Sequence, residues 1–281
     1  MLSTNDLVRI ASQVRRDIIR MVHGAASGHP GGSLGATDFL VALYFAVMRP
    51  DPNKFSIDGT DEDIFFLSNG HLSPAWYSVL ARYGYFKLSE LGTFRKMDTR
   101  LQGHPSILDN TPGVRMASGS LGQGLSVALG AAISKKLNGD TKTVYCLLGD
   151  GELQEGQNWE ALMFGAAKGV DNIIAVIDYN QKQIDGPVDQ VLSLGNLRAK
   201  LEAFSWRVME MNGNKLEDIL DHLARAKQQL NQGKPVSIIM HTQMGYGVDF
   251  MLDHHEWHGV APNDAQAAEA MAQLEETMGD Y

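Results

Sequence analysis

Leu147-Leu148-Gly149-Asp150-Gly151-Glu152 and, one helical and one apolar stretch later, Ile177-Asp178-Tyr179-Asn180 decide the fold of this chain. In both segments a short apolar run ends abruptly in a polar oxygen ligand. Runs of this length, rich in β-branched or aromatic residues and bounded by Gly, Asp, Asn or Pro, are expected to be buried strands. The pattern recurs at Ile64–Ser68, Thr143–Leu148, Ile173–Ile177, Trp206–Met209 and Val236–His241. Between these, amphipathic spacing predicts helices over Asp6–His23, Thr37–Met48, Pro74–Tyr83, Leu121–Leu137, Gln157–Gly169 and Leu216–Gln229, and a terminal helix follows Pro262. Strand–helix alternation of this kind specifies an α/β fold, a doubly wound, mostly parallel sheet with helices on both faces. No repeat, low-complexity tract or Pro/Ser-rich linker marks a boundary, so residues 1–281 are expected to form a single domain.

Such sheets bind ligands outside the carboxyl ends of their strands, where Asp150 and Asn180 fall. A carboxylate and an amide oxygen meeting there suit a hard divalent cation. Magnesium takes few protein oxygens and completes its octahedron with phosphate oxygens and water. Glycines on both sides of Asp150 let the backbone approach a ligand closely. Alone, Gly-Asp-Gly reads as a turn and Asn180 as a strand terminator; together in one α/β unit they predict a metal–diphosphate site.

Composition narrows the function classes. The 281 residues are 44% apolar and 20% charged, ample for a core. The longest apolar run, Phe39–Met48, falls well short of the ~20 residues of a membrane span. The N-terminus lacks the apolar region of a signal peptide. A single cysteine, Cys146, excludes an internal disulfide and fits a reducing compartment, so a cytoplasmic location is expected. Lys plus Arg number 24 against 33 Asp plus Glu, a net charge of −9. That balance argues against nucleic-acid or anionic-membrane partners, yet leaves room for an anionic small ligand held with a bound cation.

Four of the nine histidines, His29, His71, His104 and His258, stand beside glycine in expected turns and are poor candidates for core packing. They are scattered and lack cysteine partners, which disfavours structural zinc. His222 lies in a charged helical pattern and is expected to be solvated. His23, His241, His254 and His255 are assigned structural places, the last two being nearest to His258. Gly119-Ser120-Leu121-Gly122-Gln123-Gly124 opens a predicted helix and is expected to present backbone N–H groups to an anion. Neither the Gly-x-Gly-x-x-Gly fingerprint nor a P-loop occurs, which weakens the dehydrogenase and ATPase alternatives.

Taken in order, these segments resemble the transketolase family. Gly149-Asp150-Gly151 through Asn180 is similar to its thiamin diphosphate motif. Ser27-Gly28-His29-Pro30-Gly31, Ser68-Asn69-Gly70-His71 and Gln102-Gly103-His104-Pro105 resemble its histidine loops, and Trp257-His258-Gly259 its late histidine. Two positions depart from the pattern: Ser120, often Pro, and Tyr179, where Asp is usual. The resemblance extends only to the N-terminal, diphosphate-binding part of a much longer protein.

The resemblance implies a ketol transferase that moves a two-carbon unit from a ketose phosphate to an aldose phosphate. It implies metal ligation by Asp150, Asn180 and the Lys182 backbone carbonyl, the ion being Mg2+ or another divalent cation such as Ca2+. It assigns thiamin diphosphate to His71, Gly119, Ser120, Leu121, Asp150, Gly151, Asn180, Ile184 and His258, and catalytic roles to His29, His71, His104 and His258. Glu155 would serve an interface, although a solvated helix face explains it more simply. The aminopyrimidine glutamate of the family lies in a later domain, so a partner subunit carrying the pyrimidine domain is expected, in a heterotetramer. A decarboxylating ketose-phosphate synthase and a non-catalytic binding subunit are the alternatives.

Overall fold

Alternation along the strands determines which helices cover which face. The structure, a computed structural model, describes residues 2–281. The strands are β1 (Ile64–Leu67), β2 (Val144–Gly149), β3 (Ile173–Tyr179), the short hairpin β4 (Lys182–Gln183) and β5 (Gly186–Pro187), β6 (Arg207–Asn212) and β7 (Val236–His241). The helices are α1 (Thr4–Gly24), α2 (Pro30–Gly35), α3 (Thr37–Ala42), α4 (Ser73–Tyr83), α5 (Gly124–Leu137), α6 (Gly156–Ala167), α7 (Val188–Leu192), α8 (Leu197–Ala203), α9 (Leu216–Gln228) and α10 (Asp264–Gln273). Five strands form a parallel sheet in the order β1-β2-β3-β7-β6.

Successive side chains of a strand point to opposite faces. Tyr145, Leu147, Ile174, Val176, Ile238 and Met240 accordingly pack with α1, α3, α4 and α9. Val144, Cys146, Leu148, Ile173, Ala175 and Ile177 pack with α5, α6 and α8 on the other side. Both faces are covered, as the near-continuous apolar strands require. The architecture is the expected doubly wound α/β sheet.

α1 begins at a capping box in which the Ser3 hydroxyl accepts from the Asp6 amide and the Asp6 carboxylate accepts from the Ser3 amide. Leu7, Ile10, Val14 and Ile18 form its buried stripe. Beside that stripe lies a buried ion pair. Asp17 accepts from Ser78 Oγ at 2.6 Å and from Arg82 Nη2 at 2.8 Å, clamping α1 to α4. The last residues fold back on α1, where Asp280 receives Arg16 Nη2 at 2.7 Å.

Several elements differ from the sequence expectation. The segment expected as one helix over Thr37–Met48 leaves α geometry after Ala42 and finishes as a π-helical turn, Leu43–Met48, closed by Arg49 in the left-handed region. The helix expected from Leu121 starts at Gly124, because Gly119 and Gly122 adopt positive φ and keep the preceding residues in a loop. α2 is absent from the sequence expectation, since Pro-Gly-Gly-Ser-Leu-Gly has poor intrinsic helix propensity. Tertiary packing overrides propensity there: a Cβ on Gly31 would fall 2.7 Å from Met244 Cγ. Pro30 at the first helical position supplies a preset φ.

The Asp17–Arg82 pair gives the first prediction. Both side chains are essentially inaccessible, at 0% and 1%. Removing one member of a buried pair strands the other and costs about 3–5 kcal/mol. Asp17→Ala is therefore expected to lower the unfolding free energy by that amount in urea titrations, and a loss below about 1 kcal/mol would show the pair to be dispensable.

Candidate active site

The register of β2 on β3 pairs Gly149 with Asp178, so Asp150 leaves β2 directly beside Asp178. Both residues are 2% exposed; Asp150 is a buried group at the sheet edge, not a surface carboxylate. Its oxygens accept from the backbone amides of Gly151, at 2.7 Å, and Gln181. Asp178 accepts from the Thr242 hydroxyl and, at 3.5 Å, from Asn180 Nδ2. Asn180 Oδ1 accepts from the Lys182 amide at 2.9 Å. No Lys or Arg side chain is among these partners. Burial and then the neighbouring Asp178 charge push the Asp150 carboxyl up to about 8, and burial pushes Asp178 up to about 7.

A cavity of about 240 Å3 opens over these carboxylates. Asp150, Gly151, Asn180 and Lys182 form its floor, while Leu121, Ile184, His71 and His258 enclose it. Ile184 is 62% exposed. The other expected residues stand one layer away. The His29 ring centroid lies 5.3 Å from His71, 5.9 Å from His104 and 5.6 Å from His258, and His71 lies 4.9 Å from His258. Four histidines scattered over the sequence thus converge around His29. Gly119, at φ +118°, backs onto His104, whose Cδ2 would lie 2.6 Å from any Cβ built there, and Ser120 is exposed.

Crowding sets the charge of the quartet. Burial, followed by the His258, Arg95 and His104 charges, holds the His29 imidazole down at about 3. Burial is also the leading cause that lowers His71, His104 and His258. Each ring is therefore neutral at physiological pH, offering one N–H and one lone pair. His29 Nδ1, His258 Nδ1 and Asn69 Oδ1 are buried without partners. Orphaned polar atoms gathered beside a cavity are groups for a ligand to satisfy. Elsewhere, His23 meets Asp264 at 2.8 Å, His241 meets Glu210 at 2.9 Å, and His222 Nδ1 lies 2.9 Å from the Asp218 carbonyl. His254 and His255 flank Glu256. None of these five rings stacks with the quartet.

Sequence reasoning assigns no role to Glu152 or Asp178. Glu152 is buried and accepts from the Ser68 hydroxyl, from Gly122 N at 2.9 Å and from Gly149 N at 3.0 Å. Ser68 Oγ in turn accepts from Gly124 N at 3.1 Å. One carboxylate thereby ties together the ends of β1 and β2 and the glycine loop before α5. Its place directly after Gly-Asp-Gly is the available signal; its partners lie too far away in sequence to be read.

A model of the transketolase thiamine diphosphate binding domain matches residues 7–279. The chain belongs to the transketolase family. It is 36% identical over 276 residues to one of the apulose-4-phosphate transketolase subunits, that of Actinobacillus succinogenes, covering 98% of each chain. It is 36% identical over 270 residues to the 6-deoxy-6-sulfo-D-fructose transketolase subunit SqwG of a Clostridium species, covering 96% of each. The transketolase from Leishmania mexicana superposes with a TM-score of 0.90 at 29% identity, over 100% of this chain and 42% of that one. This family member therefore spans about two fifths of the Leishmania transketolase and nearly the whole of the Actinobacillus subunit.

The depressed histidines make stability depend on pH. For His29 the folded value, about 3, lies below the ordinary 6.5, so only the unfolded chain takes up that proton as pH falls between these values. Stability is full above 6.5 and declines below it, by about 1.4 kcal/mol per pH unit for such a group. His29→Asn should remove that much of the slope between about pH 6 and pH 4.5 in chemical denaturation. An unchanged slope would show that His29 is protonated in the folded state.

Proposed function

We propose that this chain is the cofactor-diphosphate subunit of a two-subunit, thiamin diphosphate-dependent transketolase. It would transfer a two-carbon ketol unit from a ketose phosphate to an aldose phosphate. One observation carries the proposal: a chain matching transketolase subunits of its own length from end to end assembles four neutral histidines beside two buried carboxylates that no Lys or Arg offsets.

The residues present fit the cofactor and its metal. Burying two neighbouring carboxylates without a counter-charge is costly, and a divalent cation would offset that cost. Asp150, Asn180 and the Lys182 carbonyl offer hard oxygen donors for Mg2+ or a similar cation such as Ca2+, with room for phosphate oxygens. The diphosphate would lie along Gly151, His71, His258 and the Gly119-Ser120-Leu121 loop, whose glycine packs too close to His104 to admit a side chain. Ile184 would cover the ring system and exclude water.

When bound, thiamin diphosphate supplies the carbanion and electron sink that cleave and re-form the bond next to a ketose carbonyl. The protein's contribution is orientation and proton handling. Neutral His29 and His104 donate to and accept from sugar hydroxyls, and His71 and His258, which also line the cofactor cavity, fix the reacting end. Unpartnered Nδ1 atoms on His29 and His258 leave each ring a free site for a hydroxyl.

A partner subunit carrying the pyrimidine domain completes the pocket. The cavity of about 240 Å3 lies below the ~300–1,000 Å3 usual for small-ligand sites, as expected when one wall belongs to another chain. Ile184, Val191 and Leu192 stand exposed on the segment after β3 and offer an apolar surface for that chain. A heterotetramer of two copies of each subunit, with residues 1–281 as one domain, is the assembly we favour. Cytoplasmic residence accords with a lone, buried Cys146 thiol.

The test is reconstitution. The purified chain should transfer no ketol unit by itself, and addition of the pyrimidine-domain subunit should start transfer between sugar phosphates and raise the melting temperature. Transfer by the chain by itself, shown free of partner by mass spectrometry, would overturn the two-subunit function.

A further inference from the structure

Glu152 is the third carboxylate buried beside the cavity, 2% exposed like Asp150 and Asp178. It differs from them in how fully the protein itself engages it. Oε1 accepts from the Ser68 hydroxyl and from Gly122 N at 2.9 Å, and Oε2 accepts from Gly149 N at 3.0 Å. All three donors are neutral, and no Lys or Arg is among its partners. The Glu152 backbone carbonyl accepts from Asn158 Nδ2 at 2.7 Å, which fastens its turn to α6. A buried carboxylate held only by neutral groups is costly, so its presence calls for a task that those contacts perform.

What the contacts join indicates that task. Gly149 immediately precedes Asp150. Gly122 immediately follows Leu121, which lines the cavity, and closes the Gly119-Ser120-Leu121 loop. Ser68 leads directly into Asn69 and then His71, both of which line the cavity as well. A single carboxylate therefore holds three walls of one cavity at fixed separations. The seam between them is tight. Ser68 Oγ accepts from Gly124 N at 3.1 Å, and a Cβ on Gly124 would fall 2.2 Å from that hydroxyl. Both oxygens of Glu152 are engaged by the protein, so this residue acts on the walls rather than on what they enclose.

We propose that Glu152 is a positioning residue for the cofactor's diphosphate. It presets the Asp150 carboxylate against the Leu121 loop, so that metal and diphosphate meet walls already in place. The proposal rests on the thiamin diphosphate-dependent function above, and its test separates the two. Preset walls remove an ordering cost that binding would otherwise carry. Glu152→Gln is the sharpest probe, because it keeps the shape of the side chain. An amide cannot accept on both sides: its NH2 group faces either Gly149 N–H or the Ser68–Gly122 pair, and a buried backbone donor is left without an acceptor. Ser68→Ala removes one of the three donors, leaves the other two, and is mild enough to carry the test by itself.

The readout is binding, not turnover. Calorimetry of thiamin diphosphate into the assembled complex at saturating magnesium should show affinity weakened about tenfold or more in Glu152→Gln and about threefold in Ser68→Ala. The double variant should lose less than the product of the two losses, because both act through one carboxylate. The rise in melting temperature on adding cofactor should shrink in parallel. Unchanged affinity, with a melting temperature lowered equally with and without cofactor, would mean that Glu152 supports only the fold and would overturn the proposal. Losses that multiply in the double variant would also overturn it, by showing that Ser68 and Glu152 act separately. A wild-type complex that binds thiamin diphosphate yet transfers no ketol unit would overturn the ketol-transfer function, while the affinities would still decide the role of Glu152.

Discussion

Two carboxylates buried side by side at the carboxyl ends of neighbouring strands cannot both carry full charge when only neutral donors surround them. Asp150 and Asp178 are placed this way by the β2–β3 register, which is itself fixed by apolar faces buried on both sides of the sheet. Backbone amides, a hydroxyl and an amide group compensate them in part, and both remain easier to protonate than ordinary carboxylates. The strain is electrostatic, and its natural relief is a cation. The glycine loop, the Glu152 latch and the histidine quartet are arranged around that point, which is the arrangement the proposed metal and its anionic ligand would need.

Much of this is legible in the sequence, for a definite reason. Parallel strands buried on both faces read as short apolar runs, so β2, β3 and β7 emerge with boundaries close to those observed, and Asp150 and Asn180 follow as residues just past strand ends. The four histidines can be singled out by their glycine neighbours, but nothing local says that their rings meet around His29. That convergence depends on α2, whose Gly-rich sequence conceals a helix held by packing on Met244 and by hydrogen bonds such as Gly245 N–H to the Gly31 carbonyl. Glu152 is hidden for a similar reason. Its partners Ser68 and Gly122 come from separate segments, and only the folded sheet brings them to one carboxylate.

Convergence also changes the chemistry of the histidines. A solitary imidazole titrates near neutrality. Here burial, joined for His29 and His71 by the neighbouring rings, holds the imidazoles below their ordinary value, which makes them neutral hydrogen-bonding groups in the free chain. Arg95 strengthens the effect without a counter-charge of its own. The site thus joins two regions of different character, a pair of buried carboxylates beside the cavity and a cluster of neutral rings around His29.

The central claim is that the Asp150–Asp178 pair demands a divalent cation, and that this demand is what couples the cofactor's diphosphate to the protein. Titration calorimetry of thiamin diphosphate into the assembled complex, with and without magnesium, tests it most directly when wild type is compared with Asp150→Ala. The account predicts that wild-type affinity rises by about a hundredfold or more on adding magnesium, and that the variant, still folded by circular dichroism, shows no such gain. Equal magnesium dependence in the two proteins would contradict it.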